Sequence, residues 1–213
     1  MRKIVVVCGL VLASAFVGAA QEATRFETYA GYVYQRTNSA TGIPAFSMNG
    51  GAGQFVVNFS NHFGFLMDLG AVHNNNIGGV KLDNTISNYL FGPRVAFRHS
   101  RVTPYFQILW GGAHVGNSIS LSAVPLPSNP IYLPGAPTIP ANTPVTVRAV
   151  ASQTAFAMTV GGGLDIKISK HVSFRPVQLE YLLTRFQNYR SASDNNQNNL
   201  RYSTGLNFTF GGR

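Results

Sequence analysis

The sequence predicts an all-β fold, an eight-stranded antiparallel up-and-down transmembrane β-barrel, on three observations. Charged residues make up only 11% of the 213 positions while aromatics reach 12%, against about 25% charged in an ordinary soluble domain. Stretches of period-two alternation between apolar and polar residues recur eight times, each bounded by Gly, Asn, Ser or Pro. The connections between them alternate between very short and long, the pattern of a barrel with tight turns on one side of a membrane and long loops on the other. The same composition excludes a disordered acidic chain, a disulfide scaffold and a coiled coil.

In chain order, Arg2 and Lys3 precede an apolar run from Ile4 to Val17, closed by Gly18, Ala19 and Ala20 before the polar Gln21. A basic start, a short apolar stretch and small residues read as a secretory signal peptide over 1–20, with cleavage after Ala20. The run is short of the ~20 residues a spanning helix needs. Cys8, the single cysteine, falls inside this segment. The exported chain, 21–213, is therefore expected to be held together without disulfides. Cleavage also leaves 14 basic against 7 acidic residues.

The eight alternating segments are 26–36, 51–60, 63–73, 86–98, 104–114, 154–167, 172–185 and 200–210. Short links fall at Asn61-His62, at His99 to Thr103 and at Ile168 to His171. The long links are 37–50, 74–85, 115–153 and 186–199. The third of these holds seven of the eleven prolines, so it is expected to be a loop, because proline removes a ladder donor. Pro93 and Pro176 fall inside strand segments and are read as bulges or strand-end positions.

Each segment has one face of large apolar residues. It runs through Phe26, Tyr32, Phe55, Phe65, Met67, Phe91, Phe106, Trp110, Phe156, Leu179, Tyr181 and Phe210 and gathers eleven of the fifteen Phe without a charge within the band. Turned inward, as in a soluble lipocalin-type binder, this set would overfill an eight-stranded barrel. Turned outward it meets hydrocarbon, with Tyr32, Tyr34, Tyr89, Trp110, Tyr181 and Tyr202 toward the long loops. Phe59, Phe63, Phe97, Phe106, Phe208 and Phe210 lie toward the short turns, completing two interfacial girdles. The opposite face carries Gln, Asn, Gly, Ala and the charges. In the seventh segment Phe174 and Arg175 break parity. Either a bulge at Pro176 sends Phe174 outward and Arg175 inward, or Arg175 snorkels at the membrane edge.

The residues Phe91-Gly92-Pro93-Arg94, Gly161-Gly162-Gly163-Leu164-Asp165, Arg175-Pro176-Val177-Gln178-Leu179-Glu180-Tyr181 and the closing Gly205-Leu206-Asn207-Phe208-Thr209-Phe210 resemble the OmpA-like eight-stranded outer-membrane barrel family. The likeness spans essentially all of 21–213. It implies residence in a bacterial outer membrane, with lipids and lipopolysaccharide as surroundings. In Gly205, Phe208 and Phe210 it also implies an aromatic signal read by the outer-membrane assembly machinery. The chain runs on through Gly211-Gly212-Arg213, and no peptidoglycan-binding domain is expected after the barrel.

The expected lumen charges are Glu27, Asp68, Asp165 and Glu180 against Arg94, Arg98, Lys167 and Arg201, four of each sign. In a narrow interior each requires a partner, so they are expected to form a salt-bridge network plugging the barrel, with a small ion-conducting channel as the alternative. No catalytic, cofactor or metal set is expected. His62, His99 and His171 fall at turns, His73 and His114 at strand tops, none beside a second ligand at metal spacing. His114 with Ser118 or Ser120 lacks a neighbouring carboxylate for acyl chemistry. The basic residues are too scattered for nucleic acid. The sequence thus points to a non-enzymatic barrel, structural or recognising an extracellular ligand through its loops. Candidate loop contacts are Arg36, Lys81, Tyr132, Arg148 and Arg190, the basic ones within reach of lipopolysaccharide phosphates.

Overall fold

The computed structural model describes residues 26–38, 45–77, 80–125, 144–186 and 196–211, with backbone alone at 77, 80, 119–125 and 144–148. Eight strands follow in order: β1 (Phe26–Thr37), β2 (Phe46–Asn58), β3 (Phe63–Ile77), β4 (Val80–Ala96), β5 (Val102–Pro125), β6 (Pro144–Lys167), β7 (Val172–Thr184) and β8 (Gln197–Phe210). Each pairs antiparallel with the next and β8 pairs with β1, closing the barrel. The expected signal peptide over 1–20 lies outside the described residues.

Register fixes the size of the barrel. Followed from Phe26 through Val57, Phe65, Pro93, Ile108, Val160, Tyr181 and Leu200, the pairing returns to β1 at Arg36, ten residues along from its start. Eight strands with such a stagger enclose a space that side chains can fill, not an open pore. Pro93 faces Ile108 between the Phe91–Trp110 and Arg94–Gln107 pairs with no change of register. It is therefore neither a bulge nor a strand end. β4 simply forgoes one ladder donor there.

Pro176 behaves as the first of the two readings required. Leu164 pairs with Val177 but Ile166 pairs with Phe174, so Arg175 and Pro176 together oppose the single residue Asp165. The extra residue rotates the strand by one side chain. Phe174 turns outward at 40% exposure, and Arg175 turns into the lumen at 0%.

The turn-side ends of the strands match the alternation closely; the loop-side ends run further. β5 and β6 continue through the Pro-rich segment to the pairs Val124–Val145 and Pro125–Pro144, with an irregularity between Leu121 and Val124. Much of 115–153 is thus a two-stranded ladder. The prolines within the ladder sit at its far end, where a missing donor interrupts little. The turns are tied by serine: Ser60 Oγ accepts from the amides of His62 (3.3 Å) and Phe63 (3.0 Å). Ser169 Oγ accepts likewise from His171 (3.3 Å) and Val172 (3.1 Å). These are side-chain-closed turns of the kind Ser favours.

Outside, the apolar face is continuous. Phe26 stacks on Phe55 at 6.0 Å between ring centroids, and Phe91 meets Trp110 edge-on at 6.1 Å. Tyr32, Tyr89, Trp110 and Tyr181 are exposed toward the loops, as are Phe59, Phe63, Phe97, Phe106 and Phe210 toward the turns. The Tyr hydroxyls reach past the band to polar partners: Tyr34 shares a bond with Ser47 Oγ (2.8 Å) and Tyr181 donates to Asn198 Oδ1 (2.6 Å). An apolar ring with wet-ended aromatics at its rim is what an interface with lipid demands.

Candidate functional site

The lumen is the only chemically dense region among the described residues, and all eight strands feed it. Period-two alternation points Glu27 and Tyr29 of β1, Gln54 and Asn58 of β2, Asp68 of β3 and Arg94 of β4 inward. Tyr105 and Gln107 of β5, Asp165 of β6, Arg175, Gln178 and Glu180 of β7, and Arg201 and Asn207 of β8 complete the set.

At the turn-ward end, one Glu27 oxygen accepts from Asn58 Nδ2 (2.9 Å) and from Arg98, and the other from Arg94 Nη1 (3.2 Å) and Asn207 Nδ2 (3.1 Å). Asp165 is the hub. Arg175 grips it with two bonds, Nε to Oδ1 at 2.6 Å and Nη2 to Oδ2 at 3.0 Å, and Arg94 Nη2 adds a third at 3.0 Å. Two-toothed guanidinium–carboxylate pairs of this kind are the strongest side-chain hydrogen bonds. Arg175 Nη1 then donates to Gln54 and Gln178, both at 2.7 Å. Gln54 in turn donates to Asp68 (2.7 Å). Arg201 Nη2 lies 3.0 Å from both Asp68 oxygens, and its Nε is 3.5 Å from Glu180, which accepts from Gln107 at 2.8 Å.

Two aromatic rings underlie the arginines. The guanidinium of Arg94 sits 3.9 Å from the Tyr105 ring centroid, and that of Arg175 is 4.2 Å from Tyr29 and 4.6 Å from Tyr105. Cation–π contact and charge pairing together offset part of the desolvation of these buried cations. The rings lie flat along the wall because glycine faces them. A Cβ on Gly31 would stand 2.0 Å from the Tyr29 hydroxyl, and one on Gly163 would stand 2.5 Å from that of Tyr105.

The network has the expected charge balance but not the expected membership. Glu27, Asp68, Arg94, Asp165, Glu180 and Arg201 meet as the parity of their strands requires, and Arg98 closes the turn-ward end, half-buried. Lys167 does not join. It is exposed at the last residue of β6, past the Arg175–Pro176 bulge, where it pairs with Ser173. Arg175 takes the place in the lumen, so four arginines face four carboxylates. Tyr29 and Tyr105 were missed, though each shares the parity of a neighbouring lumen residue, Glu27 and Gln107, and each has an inward Gly on its own or the adjoining strand.

A second departure concerns the loop-ward half, which is not lined by small polar residues. Val33, Met48, Val72, Ile86, Leu90, Leu109, Val115, Leu182 and Phe186 point inward and pack as one cluster, extended toward the turns by Val56 and Leu66. Only uncharged polar groups share this half, among them Gln35, Asn88, Thr159 and Asn199. Alternation hid the cluster because the outward face is larger and more aromatic.

The remaining candidates stand apart. Gly205, Phe208 and Phe210 lie on β8 at the barrel seam, where Phe208 pairs with Thr28 and Phe210 with Phe26. Arg36 is exposed and donates to Ser47 Oγ (3.0 Å), and Lys81 is exposed near the start of β4. Arg148 lies in β6, described by its backbone alone, and Tyr132 and Arg190 lie outside the described residues. His114 Nδ1 meets Thr154 Oγ1 at 2.8 Å. Among the described residues no three His, Cys, Asp or Glu are grouped to hold a metal ion.

A closed eight-stranded up-and-down sheet, greasy outside and salt-bridged within, has the fold of bacterial outer-membrane β-barrels. The solved structures bear this out. Ail, the attachment invasion locus protein of Yersinia pestis, matches with a TM-score of 0.53 at 12% identity over 87% of this chain and 97% of its own. Neisserial surface protein A matches with a TM-score of 0.56 at 13% identity over the same shares. No family model matches the chain, and no curated protein matches it.

Proposed function

We propose that this protein is a non-enzymatic, non-conducting outer-membrane barrel that recognises an anionic glycan at the cell surface. The sealed lumen carries the first half of this reading. A charge network and an apolar cluster fill successive levels of a space that eight strands leave barely wide enough for side chains. The exposed aromatic band would be an aggregation hazard on a soluble binder.

The second half rests on where charge and backbone remain free. The lumen network takes four arginines and four carboxylates out of the fourteen basic and seven acidic residues beyond residue 20. On the loop side, among the described residues, the remaining ones are Arg36, Lys81, Arg148 and Arg185 against Asp83. The β5–β6 hairpin rises among them. β4 pairs with β5 only as far as Asp83–Ser118 and β7 with β6 only as far as Ala157–Thr184, whereas β5 and β6 stay paired to Pro125–Pro144. A rigid scaffold presenting such a projection is where binding resides. The surrounding lipopolysaccharide meets the same cations. Gly205, Phe208 and Phe210 serve the assembly machinery at the seam strand.

The test is binding of labelled heparin, as a polyanionic glycan probe, to cells displaying the full chain or one lacking 118–146. Heat-shifted gel mobility reports the folded barrel in each. The expected result is an at least fivefold loss of binding with the folded band retained. Equal binding by both, or none by the full chain, contradicts the reading.

A further inference from the structure

On its outer wall, just beyond the loop-side aromatics, the barrel has a notch of about 290 Å³ lined by His73, Asp83, Thr85, Gly116, Ser118 and Val150, and also by Asn117 of the opposite parity. These residues belong to successive cross-strand rows. Leu69, Tyr89, Gly112 and Phe156 form the last apolar row, and the outward Tyr89 ring covers Gly112. Ala71, Ser87, His114 and Thr154 follow, then His73, Thr85, Gly116 and Ser152, then Asp83, Ser118 and Val150. The wall therefore turns from aromatic to hydroxyl and imidazole within one row, and reaches the Asp83 carboxylate two rows further on. The floor is Gly116, where an added Cβ would meet nothing within 4 Å. Val150, 71% exposed, forms an apolar side.

The polar groups are held in place. His73 Nδ1 lies 3.0 Å from Thr85 Oγ1, and its Nε2 is 3.9 Å from Asp83 Oδ1. The lining holds a carboxylate and no lysine or arginine. That set repels a phosphate, which needs cations or clustered N–H donors, and suits ligand hydroxyls that donate to Asp83 and exchange bonds with imidazole and hydroxyl groups. A volume near 300 Å³ is at the small end of ligand sites. Two rows toward the turns from Thr85 lie Tyr89 and Phe156, with Trp110 one row further, and these exposed rings offer an apolar track to an acyl chain.

We infer that this notch binds the uncharged, hydroxyl-rich sugar headgroup of an outer-leaflet glycolipid, whose chains lie along Tyr89 and Trp110. The inference rests on the barrel being membrane-inserted as proposed above; Gly116, Ser118 and Val150 place the notch at the base of the β5–β6 ladder. Trp110 is the only tryptophan of the chain, so its fluorescence reports what lies beneath the notch.

The experiment places the refolded barrel in phosphatidylcholine vesicles and adds brominated-chain digalactosyl diacylglycerol or, separately, brominated-chain phosphatidylglycerol. The glycolipid is expected to quench Trp110 at about fivefold lower mole fraction. Gly116→Leu, which fills the floor, and Asp83→Asn should each erase the difference while the folded gel band persists. Equal quenching by both lipids, or a preference surviving Gly116→Leu, overturns the inference. Loss of the preference on adding an equal concentration of free digalactose overturns the lipid source and assigns the notch to soluble sugars. Brominated phosphatidylcholine alone reads insertion: absence of quenching there overturns the membrane reading and the site with it.

Discussion

The two halves of the lumen close the same barrel by opposite physics. Toward the turns, four arginines and four carboxylates hold one another through Asp165, Glu27 and Asp68. Toward the loops, Met48, Ile86, Leu109 and Leu182 pack with no charge among them. The charged half is directional. Apart from the half-buried Arg98, these guanidinium and carboxylate groups have been stripped of water, so the network is stabilising only while every partner is present, and removing one exposes the full cost of the other. The apolar half is indifferent to direction and loses stability in proportion to the volume removed.

The largest effect should come from the hub. Asp165→Ala leaves Arg94 and Arg175 without their shared carboxylate and is expected to lose roughly 3–5 kcal/mol. Urea unfolding in vesicles, followed by Trp110 fluorescence, measures it, and a loss under 1 kcal/mol would dissolve the contrast. Leu109→Ala in the other half should cost roughly 2–5 kcal/mol, with no change in lumen electrostatics. A smaller effect is expected of the paired replacement Asp68→Leu with Arg201→Met. Exchanging a buried ion pair for apolar groups of similar size is often close to neutral, although here Glu180 loses its cation as well. Comparison with Asp68→Leu alone separates pairing from charge burial, and the single variant should be the less stable. The smallest change should be that of Lys167→Ala, within about 0.5 kcal/mol because it is a surface position. Arg175→Ala should resemble Asp165→Ala.

That last pair shows what could be read from the chain and what could not. Strand count, turn-side boundaries and the outward band follow from period two alone, because in a closed barrel side-chain parity is topology. Parity also places Glu27, Asp68, Asp165 and Arg201 inward correctly. It fails where the count slips. The Arg175–Pro176 bulge shifts the parity of β7 by one and turns Arg175 inward, whereas Lys167 keeps the parity of Asp165 and is left out because it is the last residue of β6. Pro176 signals a local break but not its direction. The loop-side extensions of β5 and β6 escape because their residues alternate weakly and proline masks the ladder. The apolar cluster escapes for a different reason. Hydropathy ranks residues, and Leu90 or Leu182 beside Tyr89 or Tyr181 reads as one continuous greasy run until the backbone assigns the faces.

The central claim, a lumen sealed at two levels, is tested most directly by single-channel recording of the barrel refolded into a planar bilayer. Insertion is established independently by heat-shifted mobility and protease protection. The expected record is silent at all applied potentials, for the native chain and for Lys167→Ala alike. Discrete, reproducible conductance steps from the native chain would contradict it, showing that ions pass both the Asp165 network and the Leu109–Leu182 cluster.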